Sequence, residues 1–124
     1  MESQSKRLQR VSEAYQHELA QILHLDVRNP SLAGVWITSV IFTPDLRLAK
    51  IYFNISGGRV REEEVLEGFA RSKSFFRREL AQRVQLKYAP DLKFYFDESL
   101  EIKERMDELF KEIEGKRGGQ NKEN

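Results

Sequence analysis

Apolar residues with helical spacing define the first element of the chain. Between residues 5 and 24 they recur about every 3.6 positions, at Leu8, Val11, Tyr15, Leu19, Ile22 and Leu23. This period is typical of a helix with one face packed on a core. Asn29-Pro30 follows, and the residue before a proline avoids helical backbone angles. The pattern therefore predicts that the helix ends before a loop at this point.

Two segments rich in β-branched and aromatic residues predict an antiparallel hairpin. Residues 34–43 form its first strand, Pro44-Asp45 has turn chemistry, and residues 46–55 return. Alternation in the returning strand places one set of residues on the core face, namely Ala49, Ile51, Phe53 and Ile55. The opposite set is Leu48, Lys50, Tyr52 and Asn54. The first strand changes phase halfway, which predicts a β-bulge near Thr38-Ser39.

The second half of the chain predicts a helix, a strand and a last helix. Residues 61–86 have helical character, and Ser72-Lys73-Ser74 places two weak helix formers at the centre, which predicts a kink or a break. Residues 92–96 alternate as a third strand. The last helix, over residues 97–114, has an apolar stripe at Ile102, Met106, Leu109, Phe110 and Ile113. Residues 115–124 are polar throughout and are predicted to be a disordered tail.

The element order is therefore α-β-β-α-(α)-β-α, an α+β arrangement with a small three-stranded sheet. Helices cover one face, and the open face carries Lys50, Tyr52, Lys93 and Tyr95. The chain has 124 residues, which leaves room for one domain, predicted over residues 1–114. Nothing in the sequence requires a dimer, so we expect a monomer.

The sequence offers little for catalysis or cofactor binding. It contains no cysteine, and its two histidines, His17 and His24, are seven apart on one helix. Two turns of helix separate them by about 10.5 Å, too far for one metal ion. No glycine-rich phosphate loop or nucleophile motif is present. We therefore expect no enzyme activity, no catalytic residues, no metal and no cofactor.

Two features bear on location. The first ten residues are polar and charged, unlike a secretory signal. No window approaches the roughly 20 apolar residues that a transmembrane helix needs. We therefore expect a cytoplasmic protein with no membrane partner.

The net charge of +1 hides a separation of charge along the chain. Residues 1–96 hold 15 basic and 11 acidic residues, residues 97–114 hold 3 basic and 8 acidic ones, and residues 115–124 hold 3 basic and 1 acidic. The strongest bias is in residues 71–93, with seven basic and two acidic residues. A local basic patch attracts phosphates whatever the total charge.

Eight basic residues are candidate phosphate ligands. They are Lys6, Arg7, Arg10, Arg71, Lys73, Arg77, Arg78 and Lys87, with Arg47 and Lys50 as weaker candidates. A helix that restarts at Ser72-Lys73-Ser74 would add free N–H groups, which bind anions. The alternative interpretation is that these residues form solvated helix faces. Similarly, the aromatic residues Trp36, Tyr52, Tyr88 and Tyr95 either stack on bases or simply cover the sheet.

Several motifs together resemble the bacterial ribosome-binding factor A family. They are Arg7-Leu8-Gln9-Arg10-Val11, Thr43-Pro44-Asp45-Leu46 followed by Ala49-Lys50-Ile51-Tyr52-Phe53, and Phe76-Arg77 followed by Leu86-Lys87-Tyr88-Ala89-Pro90-Asp91-Leu92-Lys93-Phe94 and Asp97-Glu98-Ser99. The resemblance covers about residues 5–113. It implies a KH-like fold of the α-β-β-α-α-β type (type II), with an added C-terminal helix. The family has an Ala-x-Gly kink between two helices, and the matching positions here are Ser72, Lys73 and Ser74.

The resemblance also implies a function. The expected role is a non-enzymatic assembly factor that binds the immature small (30S) ribosomal subunit and its 16S rRNA, next to ribosomal proteins of that subunit. Support of rRNA 5′-end processing and of growth in the cold belongs to the same expectation. The alternative from another class is a protein-interaction module that docks a basic partner through the acidic C-terminal helix.

Overall fold

The computed structural model describes the backbone of residues 4–25 and 29–122, and side chains up to residue 116. The helices are α1 (Gln4–Leu25), α2 (Glu62–Arg83) and α3 (Ser99–Lys122), and the strands are β1 (Val35–Phe42), β2 (Leu48–Ile55) and β3 (Asp91–Phe96). Short 3-10 helices, Pro30–Leu32 and Arg59–Arg61, precede β1 and α2. None of the described helices is long and apolar enough to cross a bilayer.

The three strands form one mixed sheet in the order β1-β2-β3. β1 pairs with β2 in the antiparallel sense, and β2 pairs with β3 in the parallel sense. The register of the first pair shifts between Ile37 and Ser39, which confirms the predicted bulge. The extra residue brings both Ile37 and Val40 to the core face, where each is almost completely buried.

α1 and α2 cover the inner face of the sheet and enclose the core. The predicted inner residues of β2, from Ala49 to Ile55, are all 2% exposed or less. The Tyr15 ring of α1 meets Phe42 edge-on at 4.8 Å between centroids, and Phe69 of α2 stacks on Phe94 at 4.1 Å. Aromatic pairs of this kind add to the stabilisation that burial alone supplies.

The loop after α1 packs closely against the middle of α2. The Asn29 side chain donates hydrogen bonds to the Gly68 carbonyl at 3.3 Å and to the Ser72 hydroxyl at 3.0 Å. A Cβ atom on Gly68 would lie 3.0 Å from the Ser31 Cβ. The glycine therefore allows the 3-10 helix to approach the α2 backbone.

The second helix shows no break at Ser72-Lys73-Ser74, and the alternative of a kink there stays a prediction. α2 runs without a break from Glu62 to Arg83, so the amides of Ser72, Lys73 and Ser74 lie within regular helix and form no anion site. The bond from Asn29 to Ser72 gives the first serine a packing role inside the helix. Local propensity suggested a break, and tertiary packing of the surrounding helix prevailed over it.

The C-terminal helix extends beyond the expected length and packs on little. α3 continues past residue 114 to Lys122, where a disordered tail was predicted from residue 115; residues 123 and 124 lie outside the described residues. Its apolar stripe remains 39–55% exposed, at Ile102, Met106, Leu109, Phe110 and Ile113. The overall architecture is an α+β, KH-like domain with this added helix.

Candidate nucleic-acid interface

The eight predicted phosphate ligands fall into three places. Lys6, Arg7 and Arg10 are exposed in the first turns of α1. Four others lie on α2, and Lys87 lies in the loop between α2 and β3. The structure thus brings the basic sequence segments to different positions, and each group has its own surroundings.

Two of the α2 residues hold the loop that leads into β3. The Lys73 ammonium lies 2.8 Å from an Asp91 carboxylate oxygen, and the hydrogen bond from Lys73 is the main reason that the Asp91 pKa lies below its ordinary value. The Arg77 guanidinium donates to the carbonyls of Pro90, at 3.0 Å, and Ala89, at 3.1 Å. Lys73 and Arg77 therefore have a structural task that the charge pattern does not predict.

The other two α2 residues lie seven positions apart on one exposed stripe. The Arg71 guanidinium donates to the Ser31 hydroxyl at 3.1 Å, yet its side chain is 61% exposed. Arg78 is exposed and forms no hydrogen bond or ion pair with the part of the chain that the structure describes. A free guanidinium on a helix surface can bind a phosphate without losing an internal contact.

The β1–β2 turn meets the start of α1 at one end of the molecule. The Gln4 side chain donates to the Pro44 carbonyl at 3.4 Å, and Arg7 shares a shallow cleft of about 330 Å³ with Pro44 and Leu46. Within the turn, Asp45 accepts from the Thr43 hydroxyl at 2.7 Å, and this bond is the main cause that lowers the Asp45 pKa. The turn is therefore locally fixed beside Arg7.

The loop before β3 joins the same end. The Asp91 amide donates to the Arg47 carbonyl at 2.8 Å, so the loop lies beside the turn. The Arg47 guanidinium sits over the Tyr88 ring at 4.8 Å, and the Lys87 ammonium lies 5.5 Å from the same ring. We call Arg7, Arg47, Lys87 and Tyr88 the basic end.

The basic end contains two of the predicted ligands, one weaker candidate and one predicted stacking residue. The sequence pattern alone does not show that they meet. Parallel pairing of β2 and β3 is what brings these residues together, because it places the loop before β3 beside the turn before β2. Cations around an exposed aromatic ring can bind phosphates while the ring itself stacks on a base.

The residues that the structure describes hold no group of three or more histidine, cysteine, aspartate or glutamate side chains able to bind a metal ion. A cleft of about 620 Å³ lies between the end of α1 and the start of β1, and its lining is mainly apolar. The basic end is therefore the surface with the clearest chemistry, namely recognition of phosphate groups.

Comparison with known proteins relates this chain to one family. The family model described as ribosome-binding factor A matches residues 7–110. Ribosome-binding factor A of Aromatoleum aromaticum is 36% identical over 113 residues, which cover 91% of this chain and 89% of the relative. The protein of the same name from Macrococcus caseolyticus is 35% identical over 109 residues, 88% of this chain and 96% of the relative.

Solved structures with a similar fold carry the same family name. The crystal structure of ribosome-binding factor A from Thermus thermophilus superposes with a TM-score of 0.64 at 20% identity, over 71% of this chain and 93% of that one. A solution NMR structure of a Thermotoga maritima relative gives 0.56 at 27% identity, over 73% and 83%. A Thermus thermophilus homology model, fitted into a cryo-EM map of a complex between the 30S subunit and the factor, gives 0.55 at 22% identity, over 68% and 88%.

Proposed function

Because the chain belongs to the ribosome-binding factor A family, we propose that it is a non-enzymatic assembly factor that binds the immature small ribosomal subunit. The basic end carries the proposal for the contact surface. There, the exposed side chains of Arg47 and Lys87 lie over the Tyr88 ring, and the exposed Arg7 lies beside the β1–β2 turn that carries Arg47.

Phosphate contacts by the basic end would position the protein on 16S rRNA without reading its sequence. Arg78 and Arg71 extend the proposed contact along α2, and Lys6 and Arg10 extend it along α1. Lys73 and Arg77 act indirectly, because they fix the loop that carries Lys87 and Tyr88. Shape of the rRNA and neighbouring ribosomal proteins would supply specificity.

Further parts of the proposal rest on the family resemblance. They are support of rRNA 5′-end processing, a role in the cold, a cytoplasmic location and action as a monomer.

In cells that lack the chain, unprocessed 16S rRNA should accumulate at low temperature, and the parent chain should restore processing. Restoration by a variant that does not bind the subunit would contradict this part of the proposal.

The test of the basic end is binding to purified small subunits across a range of salt concentrations. Arg7→Gln with Lys87→Gln removes two exposed cations and leaves the loop clamp of Lys73 and Arg77 intact. Two lost phosphate contacts should weaken binding and reduce the slope of log K against log salt by roughly 1.4–1.8. Lys103→Gln with Lys111→Gln on α3 is the charge-matched control. Parent-like affinity and slope in the first variant would overturn the assigned surface.

A second candidate function is a protein-interaction module centred on α3. The observation that favours it is the exposed apolar stripe on an acidic helix. Met106→Ser with Phe110→Ser should then reduce retention of small-subunit proteins by the chain, and retention by the parent should survive RNase treatment. Loss of all retained proteins after RNase treatment would contradict this candidate and favour binding through RNA.

A further inference from the structure

The outer face of the sheet brings like residues together in two neighbouring rows. The strand register places Lys50 directly beside Lys93, and Tyr52 directly beside Tyr95. Residues two positions apart on one strand share a face, so the two rows lie about 7 Å apart. Ile41 of β1 extends the lysine row and Ser39 extends the tyrosine row. The result is a pair of cations next to a pair of aromatic rings.

The two lysines lack an internal counter-charge. Neither side chain forms a hydrogen bond or ion pair with any residue that the structure describes. The acidic residues at the two ends of β3 are already engaged, Asp91 by Lys73 and Asp97 by Thr38 and Ser99. Like charges directly opposite each other destabilise a sheet, so the fold itself gains nothing from this pair. An external anion would relieve the repulsion.

The neighbouring aromatic residues form a platform. The rings of Tyr52 and Tyr95 stack at 5.4 Å between centroids, with 27° between their planes. Tyr95 is 38% exposed, and Trp36, at the sheet edge on the same face, is 45% exposed. Bases of a single strand stack on such rings whatever their sequence, while nearby cations bind the phosphates.

We propose that this sheet face, with Lys50, Lys93, Tyr52, Tyr95 and Trp36, is a second RNA-binding surface that takes a single-stranded segment. It goes beyond the proposed function, on which it depends only in taking RNA as the ligand. A duplex hides its base faces within the stack, so only its backbone would be available to this surface. The tyrosine row requires exposed base faces, and an unpaired segment offers them.

The sheet face and the basic end differ in the feature of RNA that each recognises. The basic end has one ring, Tyr88, with cations placed around it, and it faces outward where α1, the β1–β2 turn and the loop before β3 meet. The sheet face has two stacked rings beside two cations on adjacent strands. The two surfaces together allow one small domain to hold structured rRNA at one place and an unpaired segment at another.

The test measures binding of the full chain to a labelled 12-nucleotide oligouridine and to an RNA hairpin of equal charge. The chain has a single tryptophan, so stacking should quench Trp36 emission with oligouridine more than with the hairpin. Lys50→Gln with Lys93→Gln should lower the single-strand salt slope by about 1.4. Tyr95→Leu should weaken the complex at least fivefold, because stacking on one ring is worth that factor or more.

Lys103→Gln with Lys111→Gln is the control of equal charge change, and thermal melting of each variant checks that it is folded. Parent-like affinity for oligouridine in both sheet-face variants would overturn this inference, and so would equal Trp36 quenching by the hairpin. Quenching by a peptide of residues 99–116 but not by oligouridine would also overturn it, in favour of an acidic helix as the ligand. The Arg7 and Lys87 variant tests the proposed function separately, since it leaves the sheet face unchanged.

Discussion

A few individual aromatic side chains determine much of the packing between α2 and the sheet. Phe76 is 2% exposed, and its ring lies 5.8 Å from Phe69 and 6.2 Å from Phe94. Phe76 lies at helical spacing from Phe69 and Leu80, and Phe94 alternates with Lys93 and Tyr95, so the sequence pattern places both on the core face. The structure buries the Phe76 side chain more completely than that of Phe94, which is only partly buried.

We expect Phe76→Ala to lower the free energy of unfolding by roughly 3–5 kcal/mol, because truncation leaves a cavity that the surrounding rings cannot fill. Denaturant unfolding followed by circular dichroism measures the change. Tyr88→Ala, at a ring that is 53% exposed, should stay within about 0.5 kcal/mol of the parent. A near-neutral result for Phe76→Ala would mean that α2 does not pack as described.

Asp97 connects the end of β3 to the bulge in β1 and to the start of α3. Its carboxylate accepts hydrogen bonds from Ser99 and from the Thr38 hydroxyl. These bonds favour the charged form and hold the Asp97 pKa below its ordinary value, with the bond from the Ser99 side chain as the largest cause. As the pH falls, the unfolded chain takes up a proton on Asp97 before the folded chain does. The stabilisation by this carboxylate is therefore complete above the unfolded pKa, about 3.9.

As the pH falls below that value and through the lower folded pKa, the stabilisation by Asp97 should disappear. Melting temperatures measured between pH 6 and pH 3 should therefore fall less steeply for Asp97→Asn than for the parent chain. Asp107→Asn, on the exposed surface of α3, should leave the pH profile of the parent unchanged. Identical profiles for the parent and Asp97→Asn would contradict the role assigned to the carboxylate.

At the scale of elements, close approach of the 3-10 helix to α2 depends on a helical glycine. Gly68 has the Ser31 Cβ and a Leu32 methyl group at 3.0 and 3.1 Å from the position that a Cβ would occupy. By helix propensity alone, alanine at this position would be about 1 kcal/mol more favourable than glycine. Close contact with the Ser31 and Leu32 side chains opposes that gain.

We expect Gly68→Ala to destabilise the protein by roughly 1–3 kcal/mol through overpacking, despite its better helix propensity. Gly115→Ala is the matched control, since Gly115 is also helical and has no neighbouring atom within 4 Å of the Cβ position. Chemical denaturation of the two variants compares them directly. A more stable Gly68→Ala variant would show that the 3-10 helix can move aside.

The whole molecule combines a packed domain with a helix that contributes little to the core. Arg59 forms ion pairs with Glu98, just before α3, and with Glu101 of α3. Apart from that contact, α3 exposes its apolar and charged residues alike through residue 116. The separation of charge found in the sequence therefore corresponds to a separation in space. The basic excess lies on the domain, and the acidic excess lies on the projecting helix.

Removal of residues 115–124 should leave the melting temperature unchanged, because the segment has no apolar side chain with which to pack. Thermal unfolding followed by circular dichroism at 222 nm measures this. The helical signal itself should decrease in proportion to the helical residues removed. A clear drop in melting temperature would instead indicate that the segment docks on the domain.

Neutralising the acidic face of α3 should raise affinity for RNA of arbitrary sequence, since repulsion between the helix and phosphates is lost. Glu104→Gln, Glu108→Gln and Glu112→Gln together test this, and Glu101 is left in place because it pairs with Arg59 at 3.1 Å. Binding of a random duplex RNA should increase most at low salt and converge with the parent at high salt. Equal binding at every salt concentration would dismiss a repulsive role for α3.

Local patterns in the residues were sufficient to predict the elements and the faces of the sheet. Periodicity places apolar residues on one side of each strand, and a change of phase reveals the bulge between Ile37 and Ser39. The charge separation and the family resemblance were also present in the residues alone. These features are local or additive, so they can be read without knowing which elements meet.

The continuity of α2 and the composition of the candidate sites depend instead on tertiary contacts. Ser72 is a weak helix former, yet it lies within α2, and its hydroxyl accepts a hydrogen bond from Asn29, 43 residues away. Parallel pairing of β2 and β3 brings Arg47 to Tyr88 and Lys50 to Lys93. It also leaves Lys73 and Arg77 occupied with the loop before β3. Such contacts between distant residues depend on packing and register, which no local pattern encodes.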